Sequence, residues 1–271
     1  MAPPARPAPR PPARHPFCEH PGPLAVAHRG FSRTGQENTV AAFAAAVGMG
    51  FAYLETDVRA TADGRLVAFH DERLDRVSDV RGRLAELPWS VVRGASVGGE
   101  HVPLLEDVLG SFPRTRVNVD VKTPAALAGL GEVVRRTGAG ERVLLTSFSE
   151  RRRRSALAGA RAHGVVPATS ASLPGTALAL AGVAARCRAL VRAALRGVDA
   201  VQVPVRHRGV AVVGEAFVDA VHRAGAQVHV WTVDEPVQMH ALLDLGVDGL
   251  ITDRADVLRE VLRARGQWVP G

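Results

Sequence analysis

The regular alternation of short apolar runs with helical segments constrains the fold of this 271-residue sequence more than any other feature. Each run has the length of one buried strand, and all but the second are followed directly by a segment with helical spacing of its apolar residues. Eight runs have this character: LAVAH (24–28), AYLETDV (52–58), RVNVDV (116–121), VLLTSF (143–148), VVPATS (165–170), AVQVPV (200–205), QVHVWTV (227–233) and GLITD (249–253). The pattern predicts one α/β domain over residues 24–267, and it favours a closed (β/α)8 TIM barrel over an open sheet.

One segment after the second run departs from this alternation. The turn residues ADG at 62–64 lead almost directly into LVAFHD at 66–71, which leaves no room for a crossover helix. We therefore expect a small antiparallel hairpin after the second strand, with His70 on its returning arm. The whole insertion covers about residues 61–103 and is expected to lie over the mouth of the barrel.

The sequence before the first strand has a different character. Residues 1–23 are rich in proline, arginine and alanine, and they contain no apolar stretch that could serve as a secretory signal. We expect them to form a disordered tail. The two cysteines are too few for a disulfide framework, which fits a reducing compartment, and the expected location is the cytoplasm.

The charge of the chain bears on its partners. A formal net charge of +7 at pH 7 is compatible with binding to nucleic acid or to an anionic membrane surface. The basic residues are scattered, however, and only 4% of the residues are aromatic, so few side chains could stack on bases. We expect no nucleic-acid partner. The apolar region 176–195, predicted as one helix, contains Arg186, Arg188 and Arg192 and therefore cannot span a membrane, although weak contact with a membrane surface stays open.

Polar residues collect at the C-terminal ends of the predicted strands, the face at which barrel enzymes have their sites. In chain order they are His28, Arg29, Glu55, Asp57, His70, Asp120, Lys122 and Trp231. The three carboxylates suit a hard cation such as Mg²⁺ or Ca²⁺, and the two histidines could act as general acid and base. The arginine and the lysine add the positive charge that complements a phosphate.

Each of these residues taken alone has an ordinary structural explanation, but the combination does not. Charges at a barrel mouth are costly unless they are paired or bound to a metal. Lys122 is the only lysine of a chain that otherwise uses arginine, which suggests that a compact ammonium is needed there. His229 shares a strand face with Trp231 and is a further candidate for the lining of the pocket.

Several short motifs, taken together and in order, resemble those of the glycerophosphodiester phosphodiesterase family. They are HRG at 28–30, EN at 37–38, ExD at 55–57, HD at 70–71, NxDxK at 118–122, WTV at 231–233 and DGLITD at 248–253. The resemblance extends over about residues 24–265. It implies a barrel enzyme that hydrolyses glycerophosphodiesters to sn-glycerol 3-phosphate and an alcohol.

The resemblance also implies roles for the strand-end residues. One divalent ion, Mg²⁺ or Ca²⁺, would be bound by three carboxylates, and the proton would be exchanged by His28 and His70. By similarity, the metal ligands are Glu55, Asp57 and Asp120. The family commonly has a glutamate where this chain has Asp120, and the shorter side chain implies a bridging water or a shifted ion, which leaves the metal open.

The substrate contacts implied by the resemblance are Arg29 and Lys122 on the phosphate and Trp231 against the glycerol. Glu37 matches the EN motif and either reaches the metal or orients Arg29. The first nucleophile is either the glycerol 2-hydroxyl of the substrate or water.

Two other functions are compatible with the same sequence. The first is a lysophospholipase D or phospholipase-type phosphodiesterase, which would act on membrane lipids with the region 176–195 against the bilayer. The second is a non-catalytic polyanion binder that uses RRRR at 151–154. The second is disfavoured because an anion binder has no use for two histidines and three carboxylates at strand ends.

Overall fold

The computed structural model of the protein describes residues 10–207 and 209–271. Its main element is a sheet of eight parallel strands that curls into a barrel, as predicted. The strands are β1 (Leu24–His28), β2 (Tyr53–Ala60), β3 (Arg116–Val121), β4 (Val143–Thr146), β5 (Ala168–Thr169), β6 (Ala200–Pro204), β7 (Gln227–Trp231) and β8 (Gly249–Thr252). Hydrogen-bonded pairing runs in the order β5-β4-β3-β2-β1-β8-β7-β6. A parallel bridge between Ser170 and Ala200 joins the two ends and closes the barrel.

Helices surround the barrel and bury its outer face, apart from the short helix Trp89–Val92, which packs within the insertion after β2. They are α1 (Val40–Gly48), α2 (Trp89–Val92), α3 (Leu105–Ser111), α4 (Leu127–Arg136), α5 (Glu150–Ala162), α6 (Leu173–Ala184), α7 (Arg188–Ala194), α8 (Glu215–Arg223), α9 (Pro236–Asp244) and α10 (Ala255–Ala264). Several begin at the residue types that cap a free backbone N–H: the Thr39 hydroxyl accepts from Ala42 N, and the Ser149 hydroxyl accepts from Arg152 N.

Alternation along each strand decides what faces the inside of the barrel. On β1, Leu24 and Val26 pack in the interior cluster, whereas Ala25 and Ala27 pack in the cluster beneath the helices. His28 continues the interior series at the C-terminal end of the strand. The apolar floor of the barrel therefore leads directly to a polar mouth.

The insertion after β2 forms as predicted. Its first strand, Leu66–Ala68, pairs antiparallel with β2 in the register Val58 to Ala68. Short elements then follow, including 3-10 turns at Leu74–Arg76 and Leu84–Glu86 and a small hairpin of Ser96–Val97 with Glu100–His101. The insertion has its own apolar cluster, in which Phe69, Leu74 and Leu84 are buried. The insertion is therefore packed around its own apolar core, which does not include the polar residues at the mouth of the barrel.

The prediction of a disordered tail over residues 1–23 is wrong for residues 10–23, while residues 1–9 lie outside the described part of the chain. A 3-10 turn at Pro16–Cys18 buries Phe17 against the bottom of the barrel, where the Tyr53 hydroxyl donates to Phe17 O at 2.9 Å. Arg10 Nε lies 2.9 Å from the buried carboxylate of Asp248. The prediction failed because it was based on the high proline and arginine content of the segment, whereas a few of its residues, such as Phe17, pack against the bottom of the barrel.

The last residues of the chain pack at the same end. Trp268 stacks edge-on against Phe51 with ring centroids 5.2 Å apart, and Gly271 N donates to Gly50 O at 3.0 Å. Gly50 and Phe51 directly precede β2. The described ends of the chain therefore both lie at the N-terminal face of the barrel, opposite the mouth.

The apolar region 176–195 forms two helices and not the predicted single one. α6 and α7 are separated by a turn in which Arg186 has the left-handed backbone angle φ of 52°. Gly182 lies so close to Val191 that a β-carbon on it would be 2.8 Å from the valine side chain, so the two helices fold back on each other. The turn was not predicted because alanine, the strongest helix former, lies on both sides of it. Within the described residues, none of the helices combines the length and the apolar character needed to cross a bilayer.

Candidate active site

The strand-end residues converge on one pocket of about 330 Å³ at the C-terminal face of the barrel. Parallel pairing places β1 beside β2 and β2 beside β3, with Glu55 opposite both His28 and Asn118, and with Asp57 opposite Asp120. All the candidate residues named from the sequence except Glu37 and His229 line the pocket: His28, Arg29, Glu55, Asp57, His70, Asp120, Lys122 and Trp231.

A buried ion-pair cluster forms the floor of the pocket. Lys122 Nζ lies 2.8 Å from Asp57 Oδ1 and 2.6 Å from Asp120 Oδ2. Although burial opposes ionisation, the ammonium and the Arg29 guanidinium hold the pKa of Asp57 below its usual value, and the two carboxylates raise the pKa of Lys122. Burial raises the pKa of Asp120, an effect that Lys122 only partly offsets. The single lysine therefore lies between the two acids.

Glu55 is the third acid of the cluster and the one that is hardest to ionise. Burial, followed by the charge of Asp57, raises its pKa to about 8. Its Oε2 accepts a hydrogen bond from Arg29 N at 3.2 Å and lies 3.7 Å from His28 Nε2. Three carboxyl groups therefore lie together at the floor of the pocket, and the pKa of one of them is well above its ordinary value.

The chemistry of this cluster fits a hard divalent cation. As the side chains stand, no three histidine, cysteine or acidic residues within 10–207 and 209–271 are grouped closely enough to hold a metal, and the Lys122 ammonium separates Asp57 from Asp120. Two buried oxygens beside it, Asp120 Oδ1 and Asn118 Oδ1, have no hydrogen-bond partner among the described residues. Unpartnered buried oxygens and a carboxyl with a raised pKa are what an oxygen-liganded cation satisfies. Glu55, Asp57 and Asp120 are therefore the residues that could hold one.

Two histidines face the pocket, and each is hydrogen-bonded to an aspartate through Nδ1. His28 Nδ1 lies 2.7 Å from Asp253 Oδ1, and His70 Nδ1 lies 2.6 Å from Asp71 Oδ1. Such a bond fixes the ring and leaves Nε2 for proton transfer. Burial lowers the pKa of His28, but Glu55 and Asp253 outweigh it and raise the pKa above its ordinary value.

Sequence reasoning missed the role of Asp253 beside His28. The residue ends the DGLITD motif, just after β8, and β8 pairs with β1 through Ala27 and Thr252. The sequence did contain a signal for this contact, because Asp253 is a carboxylate at the C-terminal end of β8, the strand beside β1. In turn, the bond from His28 lowers the pKa of Asp253, although burial opposes this.

Arg29 is held by a backbone hydrogen bond to Glu55 and by two side-chain contacts. Its backbone has φ of 57°, its Nε lies 3.2 Å from Asp57 Oδ2, and its Nη1 donates to Glu37 Oε1 at 2.9 Å. The neighbouring Gly30 has φ of 85°, and a β-carbon there would lie 2.6 Å from the backbone of Ala42. The glycine of the HRG motif is therefore required by close approach to α1, and Glu37 contacts Arg29 from outside the pocket.

The opposite half of the pocket is apolar. Trp231 packs edge-on against Phe148 with ring centroids 5.9 Å apart, and Lys122 Nζ lies 6.0 Å from the centroid of the Phe148 ring. Ala171, Leu173 and Val203 extend this wall. Phe148 was not among the predicted site residues, because a phenylalanine at a strand end has no polar group to mark it.

His229 lies beneath the pocket and does not line it. The ring is buried, with Nε2 3.1 Å from Gln227 Oε1 and Nδ1 3.4 Å from Gln202 Nε2. Burial lowers its pKa to about 4. It is a neutral histidine of the barrel interior.

Protonation of the unfolded chain at this position should make the protein sensitive to acid. His229 has its ordinary pKa of about 6.5 in the unfolded chain and a pKa of about 4 in the folded protein. Between these two pH values the imidazole is protonated only in the unfolded chain, so lowering the pH over this range decreases the free energy of unfolding by about 3 kcal/mol. We expect His229→Gln to lose less stability than the natural chain over this range, as measured by urea unfolding at both pH values. The exposed His163→Gln should behave as the natural chain does, and equal acid losses in all three proteins would contradict the assignment.

The chain is similar to known proteins over most of its length. The model of the Glycerophosphoryl diester phosphodiesterase family matches residues 28–257. A Mycobacterium tuberculosis protein named "Probable glycerophosphodiester phosphodiesterase 2" is 47% identical over 257 residues, which cover 93% of this chain and 95% of that protein.

Solved structures share the fold. The crystal structure of a glycerophosphodiester phosphodiesterase from Agrobacterium tumefaciens has a TM-score of 0.69 at 26% identity, covering 87% of this chain and 98% of that one. An Oleispira antarctica phosphodiesterase, solved in complex with the product sn-glycerol-3-phosphate, has a TM-score of 0.72 at 21% identity, covering 89% and 97%. With a family model that matches most of its length and a relative 47% identical over nearly all of it, the chain belongs to the glycerophosphoryl diester phosphodiesterase family.

Proposed function

We propose that the protein hydrolyses glycerophosphodiesters to sn-glycerol 3-phosphate and an alcohol, with the help of one divalent cation, Mg²⁺ or Ca²⁺. The observation that carries the proposal is the position of two aspartate-backed histidines at one pocket, above a cluster of three carboxylates and two cations. The product complex of the Oleispira antarctica phosphodiesterase supports the identity of the product.

In this proposal, the basic residues of the site bind the substrate phosphate and the acidic residues bind the cation. Arg29 and Lys122 bind the phosphate, and Trp231 packs against the glycerol of the substrate. Glu55, Asp57 and Asp120 would hold a divalent cation, which would supply further positive charge against the phosphoryl oxygens. The closeness of three carboxyl groups and the unpartnered Oδ1 of Asp120 support this part of the proposal.

Proton transfer is assigned to the two histidines. Burial opposes protonation of His28, but Glu55 and Asp253 raise its pKa above the ordinary value, and this shift favours the role of general acid that protonates the leaving alkoxide. His70, on the insertion, takes the proton from the nucleophile, which is either water or the glycerol 2-hydroxyl. Attack by the 2-hydroxyl expels the alcohol and forms a cyclic phosphate, which water opens to glycerol 3-phosphate in a second step. Hydrolysis of a 2-deoxy analogue at the natural rate would select water.

The proposal is tested by the release of glycerol 3-phosphate from glycerophosphocholine and glycerophosphoethanolamine. We expect turnover by the purified full chain with Mg²⁺ or Ca²⁺, its loss in EDTA, and its recovery when the ion is added back. Asp120→Asn should need more metal for half-maximal rate because one charged oxygen is lost, whereas the exposed Glu132→Gln should not. Undiminished turnover in EDTA would refute the metal requirement and leave the phosphodiesterase assignment standing.

A second candidate, cleavage of lysophospholipids or other membrane phosphodiesters, is favoured by one observation. Two side chains of the apolar wall of the pocket are exposed: Phe148 is 52% exposed and Leu173 is 57% exposed. An acyl chain or a weak membrane-surface contact would cover them. If the glycerophosphodiesters are not turned over with any ion, the same assay on lysophospholipid vesicles, with vesicle pelleting, decides for or against this candidate.

A cytoplasmic location is also proposed. Its support is that Cys18 and Cys187 are both free thiols, one buried and one exposed, as is usual in a reducing compartment.

A further inference from the structure

We propose that Arg76 is a positioning residue that locks the insertion carrying His70 onto the barrel loop carrying Arg29. Arg76 lies at the end of the 3-10 turn Leu74–Arg76, outside the pocket, and it does not line the cavity. Its effect on the reaction therefore passes through the side chains that it holds.

The first contact runs toward the histidine of the insertion. Arg76 Nε donates to Asp71 Oδ2 at 2.5 Å, and the other oxygen of the same carboxylate, Oδ1, lies 2.6 Å from His70 Nδ1. Burial opposes ionisation of Asp71, yet hydrogen bonds from Arg76 and His70 lower its pKa to about 2. One carboxylate thus links the guanidinium to the His70 ring.

The second contact runs toward the barrel. Arg76 Nη1 donates to Glu37 Oε2 at 3.0 Å and its Nη2 donates to Glu37 Oε1 at 2.7 Å, a two-pronged pair that fixes both groups in one plane. Glu37 Oε1 also accepts from Arg29 Nη1 at 2.9 Å. The contacts therefore run without a gap from His70, through Asp71, Arg76 and Glu37, to Arg29.

The geometry of this chain of contacts explains why an arginine is needed. The Nε of Arg76 donates to Asp71 of the insertion, and its two terminal nitrogens donate to Glu37 of the barrel loop. All three donors lie in the fixed plane of one guanidinium. A lysine would bring the charge but only one donor atom, and it could not span both carboxylates with the same geometry. The insertion has its own apolar cluster, so loss of the arginine should loosen the contact with the barrel without unfolding the segment.

The insertion also offers a matched control. Arg83 Nη1 lies 2.9 Å from Glu72 Oε1, and the Arg83 side chain is 49% exposed against 50% for Arg76. This second pair contacts neither histidine. Exposed ion pairs contribute little to stability, so neither arginine is needed for folding.

The test compares Arg76→Ala, Arg76→Lys and Arg83→Ala in the glycerophosphodiester assay. We expect kcat of Arg76→Ala to fall about 10- to 100-fold, since small misplacement of reacting groups costs about that much, with a smaller rise in KM. Arg76→Lys should recover part of the loss, and added guanidinium should restore some activity to Arg76→Ala. Arg83→Ala should keep the natural rate, and all three variants should unfold at nearly the natural temperature.

The possible results separate this inference from the proposed function on which its assay rests. Absence of turnover by the natural chain would count against the proposed function. The distances above would still predict faster hydrogen exchange at residues 70–80 in Arg76→Ala, because the link from Asp71 to Glu37 is lost while the strand Leu66–Ala68 stays paired with β2. An Arg76→Ala protein as active as Arg83→Ala would overturn the role of Arg76. A loss of activity matched by a loss of thermal stability, without rescue by guanidinium, would also overturn it.

Discussion

Replacement of His28 or His70 with asparagine is expected to lower kcat by about 10²- to 10⁴-fold, the usual contribution of a general acid or base. Both rings face the pocket, and each is oriented through Nδ1 by an aspartate. Asparagine keeps a polar side chain at each position but cannot exchange the proton. The measurement is steady-state release of glycerol 3-phosphate, with circular dichroism as the check on folding.

The leaving group distinguishes the two histidines. A p-nitrophenolate leaves without protonation, so a general acid is dispensable for substrates that release it. We therefore expect His28→Asn to lose much less activity on a p-nitrophenyl phosphodiester than on glycerophosphocholine, while His70→Asn loses the same factor on both. The exposed His101→Asn serves as the control on the insertion. The reverse pattern would exchange the two assignments, and full activity of either variant would remove that histidine from the reaction.

Replacement of Lys122 with methionine is expected to be the most destabilising single change at the mouth. It would leave Asp57 and Asp120, both buried, without the ammonium that lies within 2.8 Å of each. Asp57 would keep its contact with Arg29, whereas buried Asp120 would lose the cation paired with it, and breaking a buried ion pair in this way costs about 3–5 kcal/mol of unfolding free energy. Urea unfolding in EDTA measures the loss.

The same experiment carries its own control. Arg135→Met breaks the pair with Glu132, in which both side chains are about half exposed, and a much smaller loss of unfolding free energy is expected because exposed ion pairs contribute little to stability. If the cluster binds a divalent cation, Mg²⁺ or Ca²⁺ should restore part of the stability of Lys122→Met. A loss no larger than that of Arg135→Met would show that the lysine does not neutralise the two acids.

The sequence was sufficient to predict the barrel and most of the pocket for the same physical reason. Strand periodicity gives the direction of every second side chain, so once Leu24 and Val26 face inward, His28 must follow them. Parallel pairing then brings the ends of neighbouring strands together. Residues at strand ends were therefore predictable from their spacing along the chain.

The residues that the sequence did not reveal are those that depend on contacts between distant segments. Asp253 reaches His28 across 225 positions of the chain, and Arg76 reaches Glu37 across 39. Neither pair has a periodic signal. For the same reason, the composition of residues 10–23 led to a wrong prediction of disorder. The segment is ordered because Phe17 is buried against the barrel, and this contact is not apparent from the many prolines around it.

The position of the chain ends has a practical consequence. Residues 10–23 and the segment from Trp268 to Gly271 pack at the face of the barrel opposite the pocket. A support or a fused domain joined at Gly271 therefore stands behind the enzyme, with the full length of the barrel between the attachment and the substrate. Immobilised molecules would all present their mouths to the solution, and a surface-tethered enzyme should keep the KM of the free one.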